Sequence, residues 1–273
     1  MALDMLAIIR AGYKPVQPTI TPAGESVTYE EILPDHRLRP YIYCYWQLKT
    51  KAPLQAPFTY RVVADGCIDV FFELGRPEAS FVMGFCKRYT EFELDNAFNY
   101  VGVRFLPTMF PQLFNVDASS LSNRTEDLGA VIPSMARFVA DRFAPDLPTR
   151  AVWQRLDDYF LQHLAGIDFN QDPRLYGAIA TIMKKSGVLN LEKDIDSGIS
   201  PRQLRRLFEY YIGDTAKTFS KVVRFQNILR AKPSTQNLRE NKLFYDAGYY
   251  DQAHFIKEFK SLYGVTPSRA FGR

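Results

Sequence analysis

Between Gly198 and Pro267 one short pattern occurs twice, and it restricts that part of the chain more than any other feature does. The first copy reads Gly198-Ile199-Ser200-Pro201-Arg202-Gln203-Leu204-Arg205-Arg206-Leu207-Phe208 and is followed by Gly213. The second reads Gly248-Tyr249-Tyr250-Asp251-Gln252-Ala253-His254-Phe255-Ile256-Lys257-Glu258-Phe259 and is followed by Gly264. Each predicts a turn and then a helix. Ser200 and Asp251 stand where a side-chain oxygen can accept a free backbone N–H of the first turn, and Pro201 suits a helical position that needs no N–H. Gly213 and Gly264 suit helix stops, where the left-handed conformation is required.

The apolar spacing sorts each helix into two faces. Leu204, Leu207, Phe208 and Tyr211 recur at intervals of three and four, as do Phe255, Phe259 and Leu262, so these face inward. Arg202, Arg205 and Arg206 are left outward in the first copy; Gln252, His254, Lys257 and Lys260 are left outward in the second. Taken singly, either is compatible with a solvated amphipathic helix. A helix set behind a tight turn is also the helix-turn-helix arrangement, whose second helix enters the DNA major groove. Between the copies, Asp214 predicts the cap of a helix from Thr215 to Ala231, ended by Pro233. At 1.5 Å per residue that strut is about 25 Å long, and successive major-groove faces lie about 34 Å apart. Two reading helices at its ends suit adjacent turns of DNA.

From Leu175 to Phe271 the chain resembles the C-terminal DNA-binding domain of AraC/XylS-type transcriptional regulators, and Phe255, Phe259-Lys260 and Gly264-Val265-Thr266-Pro267 are similar to that family's signature. The resemblance implies that Arg202, Arg205 and Arg206 face base edges, as do Gln252, His254 and Lys257. A guanidinium can bond two acceptors on guanine, which is worth about 1 to 3 kcal/mol of discrimination. Lys217, Lys221, Lys260 and Arg269 are expected on phosphates, contacts that position without reading sequence. The chain departs from the family where a small residue usually precedes each turn: Asp194 and Phe244 stand there. Glu240 replaces an apolar residue, and Phe271 stands about where a closing arginine falls. The second unit must therefore be packed around Phe244.

Charge follows the same division. Residues 190–273 hold 15 Lys and Arg against 9 Asp and Glu, while the rest holds 19 against 21. The basic excess lies in the helix-turn-helix part, as expected when one domain meets phosphates and the other does not. The excess is modest, so affinity should lean on groove contacts and on dimerisation.

A length of 273 residues, 47% hydrophobic and 23% charged, suggests two globular domains. No apolar run approaches a membrane span and the first ten residues lack the layout of a secretory signal, so a cytoplasmic protein without a membrane partner is expected. Cys44, Cys67 and Cys86 lack paired zinc-site spacing and are read as reduced, buried thiols. His36, His163 and His254 are too scattered to imply a metal.

Residues 1–40 read as an arm that covers something. Tyr41 to Lys49, Thr59 to Val63, Cys67 to Leu74, Ser80 to Phe85, Arg88 to Leu94 and Phe98 to Phe105 read as strands, with Asp65-Gly66 as a tight-hairpin signal. Six short strands suggest an antiparallel sandwich or barrel. The resemblance implies a cupin-like effector-binding barrel, carried here by Tyr43-Cys44-Tyr45-Trp46, Ala64 to Asp69 and Gly102 to Pro107. Helices are expected over Thr108 to Phe114, Ile132 to Phe143 and Thr149 to Gly166. The last places Trp153, Leu156, Tyr159, Phe160 and His163 on one side, a face suited either to docking on the barrel or to dimerisation and signalling. Gly166 to Pro173 reads as a linker.

The expected architecture is α+β: a β-rich effector domain over 1–125, a helical linker or dimerisation region over 126–170, and an all-α double helix-turn-helix domain over 171–273. No phosphate loop, serine elbow or metal-ligand histidine pair is present in the sequence, so no enzymatic activity and no cofactor are expected. Asp65, Asp69 and Glu73 alternate along a strand and are assigned to solvent or strand pairing rather than acid–base work. Candidate effector-lining residues are Tyr43, Tyr45, Arg61, Cys67, Phe71 and Arg104, against the reading that the same aromatics fill a solid core. The whole indicates a DNA-binding transcriptional regulator of the AraC type. Its expected partners are double-stranded DNA, a small-molecule effector, RNA polymerase and a second copy. The rival readings are a protein-interaction regulator whose helix-turn-helix part no longer binds specific DNA, motivated by Asp194, Glu240 and Phe244, and a cupin enzyme, which the missing histidines disfavour.

Overall fold

The computed structural model describes residues 2–18, 26–170, 172–231 and 248–271. Glu240 and Phe244 lie outside the described residues. Eight strands form the N-terminal half: β1 (Val27–Ile32), β2 (Ile42–Thr50), β3 (Phe58–Val62), β4 (Asp69–Glu73), β5 (Arg76–Met83), β6 (Thr90–Leu94), β7 (Asn99–Phe105) and β8 (Thr125–Asp127). Six of them make one antiparallel sheet in the order β1-β2-β7-β4-β5-β8, and β3 and β6 make a separate antiparallel ribbon. The ribbon packs on one face of the large sheet and helices pack on the other. Strands β2, β4 and β7 are buried on both faces, which is why their sequences run apolar without alternation.

The sandwich is open. Strands β1 and β8 end the large sheet and neither pairs with the ribbon, so the closed barrel half of the sequence expectation is corrected to a sandwich. Each of the six expected strands is present, with ends shifted. Two strands escape sequence reasoning: β1, which is rich in polar residues and lies on the edge, and β8, three residues long. The arm of residues 1–40 contains that edge strand and a helix, α1 (Ala2–Gly12). Asp65-Gly66 is not a hairpin, because β3 and β4 belong to different sheets. The turn instead carries the chain across the sandwich: Gly66 has φ +80° and Asp65 Oδ1 accepts the Cys67 amide at 2.9 Å. Nor do Asp65, Asp69 and Glu73 face solvent; all three are buried.

Helices α2 (Met109–Phe114), α3 (Leu128–Val131), α4 (Pro133–Arg142) and α5 (Thr149–Leu164) follow, with a 3-10 turn at Ala118–Leu121. The apolar face of α5 docks on the sheet. Tyr45 stacks on Trp153 with ring centroids 6.0 Å apart and donates its hydroxyl to Asp157 at 2.9 Å, while Phe105 meets Phe160 edge-on. His163 closes this contact through Nε2 against the Leu113 carbonyl at 2.8 Å. The segment read as a linker is tied down as well, since Phe169 stacks on Tyr41 at 4.6 Å.

The C-terminal part comprises α6 (Pro173–Lys184), α7 (Leu191–Asp194), α8 (Pro201–Ile212), α9 (Ala216–Ala231), α10 (Gln252–Tyr263) and α11 (Pro267–Phe271). One continuous buried cluster extends from Leu6 through the helix-covered face of the sheet to Phe208, Phe219 and Phe259. A second, smaller one lines the space between sheet and ribbon and includes Trp46, Tyr60 and Val62. Among the described residues no helix is long and apolar enough to cross a membrane.

Candidate nucleic-acid interface and sheet cavity

Both helices of the repeated pattern, α8 and α10, are built as their sequences prescribe. At α8, Ser200 Oγ accepts the Gln203 amide at 3.3 Å and the Gln203 side chain accepts the Ser200 amide at 3.1 Å, a reciprocal capping box. Gly213 closes the helix at φ +107°. At α10, Asp251 accepts the His254 amide at 2.7 Å and Gly264 closes it at φ +99°. Phe208 and Ile212 in α8, and Phe255, Phe259 and Leu262 in α10, are buried. The opposite faces are exposed, and they carry Arg202, Arg205 and Arg206 in one helix and Gln252, His254, Lys257 and Lys260 in the other.

The connecting helix α9 has 16 residues, about 24 Å at 1.5 Å per residue. Lys217 on it is exposed, and so is Arg269 on α11. Lys221 is half-buried and lies 3.3 Å from Glu258. Lys217, Lys221 and His254 share one depression with Asn190 and Arg224, so α10, the connecting helix and the start of α7 converge there. Arg205 is engaged along its own helix by Glu209 at 2.7 Å. Asp194 points its carboxylate to Lys185 at 2.7 Å and to the Asn190 amide, which accommodates it at a place where a small residue was expected.

Sequence reasoning missed Arg224. Its guanidinium carbon lies 4.0 Å from the Tyr249 ring centroid, Nη2 donates to Glu258 at 2.5 Å and Nη1 to the Gly248 carbonyl at 3.3 Å. One side chain thus holds the second turn, α10 and α9 together. Burial raises the Glu258 carboxyl, but Arg224, Tyr249 and Lys221 outweigh it and hold the group below its ordinary value. Nothing in the α9 pattern marked Arg224, because its partners lie across a turn in another element.

The helix-turn-helix part is docked on the sandwich. A Cβ on Gly213 would lie 2.9 Å from Phe85 Cβ and 3.1 Å from the Ala118 carbonyl, and Lys87 pairs with Asp214 at 3.1 Å. Gln226 of α9 donates to the Ala64 carbonyl at 2.7 Å and accepts the Val16 amide at 2.8 Å. The C-terminal turn of α10 receives one end of the ribbon, where β3 finishes and β6 starts: the Ala64 amide donates to the Leu262 carbonyl at 3.1 Å and the Tyr89 amide to that of Ser261 at 3.3 Å.

Between the ribbon and the large sheet lies a cavity of about 200 Å³, lined mainly by aromatic and aliphatic side chains, with Asp69, Glu93, Arg104 and Thr125 as its polar groups. The Trp46 indole lies against Gly102, where a Cβ would come within 2.1 Å of the ring, and its Nε1 donates to Asp69 at 3.0 Å. Arg104 donates to both oxygens of Asp69, at 3.2 and 2.9 Å. It also lies 3.6 Å from Asp65 and 3.5 Å from Glu31, and its Nη1 has no hydrogen-bond partner. Burial raises the Asp69 carboxyl to about 6; Arg104 opposes that rise and the neighbouring Asp65 adds to it.

Of the six residues expected to line an effector site, the structure brings Phe71 and Arg104 to this cavity. The other four lie elsewhere. Tyr45 points to the helix-covered face, as the alternation of a strand demands. Tyr43 packs edge-on to Tyr13 beneath Arg10. Arg61 sits on the outer side of the ribbon with Glu91 at 2.6 Å, and Cys67 is buried against the Tyr13 hydroxyl. All three cysteines are free and buried. Among the described residues no cluster of His, Cys, Asp or Glu is arranged to hold a metal ion.

Residues 196–273 match the family described as a helix-turn-helix domain, and residues 30–127 match a domain of unknown function (DUF6597). The C-terminal part is therefore a helix-turn-helix domain of the AraC type. No curated protein matches the chain. Among solved structures the chain is similar to apo ToxT of Vibrio cholerae strain SCE256 carrying a lysine-to-alanine substitution, at 12% identity and a TM-score of 0.41. It is also similar to ToxT of Vibrio cholerae O395, at 10% identity and a TM-score of 0.35. Each comparison covers 91% of this chain and 98% of the other.

Proposed function

With an AraC-type helix-turn-helix domain as its C-terminal part, we propose that the chain is a sequence-specific DNA-binding transcriptional regulator whose grip on DNA is set by a small molecule held between sheet and ribbon. The observation that carries the first half is the pair of capped helices that precede and follow α9 in the chain, each burying its aromatic face and exposing the opposite one. On α8 that face presents Arg202, Arg205 and Arg206 to base edges. On α10 Gln252, His254 and Lys257 do the same. Lys217, Lys260 and Arg269 lie toward phosphates, and Lys221 joins them at the cost of its pairing with Glu258.

The second half rests on connectivity. Tyr60 and Val62 on β3, and Phe92 and Leu94 on β6, wall the cavity, and the ends of those same strands bond the last turn of α10. A ligand that spreads the ribbon from the sheet would therefore move Ala64 and Tyr89 against Ser261 and Leu262, altering how the second reading helix sits relative to the first. Residues 1–125 act in this scheme as the sensing part, 126–170 as its helical cover and 171–273 as the DNA-binding part. Dimerisation and contact with RNA polymerase are consistent with it. One motive of the interaction-only alternative is weakened, because the Asp194 carboxylate is held by Lys185 and the Asn190 amide. Mapping binding sites across the native genome, followed by salt titration on the recovered fragments, tests the reading: one preferred sequence motif supports it, and uniform binding to all fragments overturns it.

A further inference from the structure

Around Arg104, which lines the sheet cavity together with Asp69, carboxyl groups outnumber the guanidinium. Asp69, Asp65 and Glu31 all lie within 3.6 Å of Arg104, and Glu93 adds a fourth carboxyl at the rim. Arg104 itself is taken up by the two-pronged contact with Asp69, so its charge is not offered to a ligand. An anion entering this space would meet a surplus of negative charge in surroundings that screen it poorly. The remaining walls are ring faces and edges: Phe71 has its centroid 6.0 Å from Trp46, 5.5 Å from Phe81, 6.4 Å from Phe92 and 6.2 Å from Tyr100. Aromatic rings backed by carboxylates attract cations whose hydration is weak, above all ammonium groups bearing carbon substituents.

We propose that the cavity between ribbon and sheet binds a small organic ammonium ion, with the aromatic walls taking the cationic head and the buried carboxyls supplying the counter-charge. This rests on the reading of the cavity as the regulatory site and names the class of molecule that site takes.

The test uses full-length protein and three molecules of nearly equal shape: choline, its uncharged isostere with a tert-butyl group in place of trimethylammonium, and the anion tert-butylacetate. Calorimetric titration should give saturable binding of choline, roughly tenfold tighter than the uncharged isostere, and none of the anion. Phe71→Leu should weaken choline binding by roughly tenfold, and Glu93→Gln at the exposed rim by a few-fold, with near-ultraviolet circular dichroism confirming that both variants keep the fold. Equal binding of the isostere, tighter binding of the anion, or no saturation by choline at millimolar concentration overturns the charge selection. Whether a bound molecule changes DNA affinity is read separately: an uncharged ligand that does so preserves the regulatory reading and sinks only the ammonium proposal.

Discussion

Arg224 and Tyr249 stack at 4.0 Å across the turn that opens α10, although 24 residues lie between them in sequence. The same guanidinium bonds the buried Glu258, so one side chain on the connecting helix fixes both the turn and the helix behind it. This cation ties the turn and the helix of the second unit to the connecting helix.

Replacing it should therefore unfold more than a surface contact would. Arg224→Ala leaves the largely buried Glu258 carboxylate with the weaker support of Lys221 and Tyr249 and removes the ring contact, so a loss of up to about 3 kcal/mol is expected, the lower end of the range for breaking a buried ion pair. Arg224→Lys keeps the charge but not the planar fork, and should recover less than half of that. Urea denaturation of both variants checks the ordering; equal stability of wild type and Arg224→Ala would show that the ring and ion contacts contribute nothing.

Glu258 also gives stability a pH dependence of definite sign. Its folded carboxyl is held below the ordinary value, with the attraction of Arg224 and Lys221 exceeding the opposing effect of burial. The unfolded chain therefore binds this proton first as pH falls, and the contribution is present above about pH 4.3 and lost below it. Unfolding free energies measured from neutral pH down to the acid range should show wild type and Glu258→Gln converging as acidity rises. A gap that stays constant would mean that the carboxylate's charge is not what matters.

These contacts mark the boundary between what the sequence discloses and what it does not. The caps Ser200 and Asp251, the stops Gly213 and Gly264 and the two apolar faces are local, set by backbone needs within one turn of the residue concerned, and they stand where the sequence put them. The six central strands were legible for the same reason. Arg224 was not, because its meaning comes from partners brought in by the fold. Tyr43 and Tyr45 lie away from the cavity because composition does not reveal which face of a doubly buried strand meets it, Arg61 because it is on the outer side of the ribbon, and Cys67 because it belongs to the turn that crosses between the sheets. Asp65-Gly66 misled because a turn that crosses between sheets and one that closes a hairpin draw on the same residues.

The floor of the cavity can be probed at Gly102. A Cβ there would come within 2.1 Å of Trp46 Cε2 and 2.2 Å of Cζ2, so Gly102→Ala must push the indole into the cavity and break its bond to Asp69. Overpacking of this kind costs about 1 to 3 kcal/mol, and a Trp46 moved from its seat should change fluorescence even where the fold survives. Retained stability together with an unchanged emission spectrum would show that the indole does not rest on that glycine.

The interface itself is best tested by two substitutions that ought to behave differently. Arg206 is exposed on α8, beside Gln203 and Tyr210, and is assigned to a base edge. Arg206→Ala should thus weaken binding to a preferred site by about 1 to 3 kcal/mol and leave random DNA nearly untouched. Lys217, exposed on the connecting helix, is assigned to a phosphate. Lys217→Ala should weaken all sequences alike and lower the dependence of log affinity on log salt by about one ion. Affinities of both variants, measured on a selected site and on scrambled DNA over a range of salt, separate the two roles. If Arg206→Ala lost as much on scrambled DNA as on the site, the guanidinium would be a backbone contact, and α8 would position the protein without reading sequence at that residue.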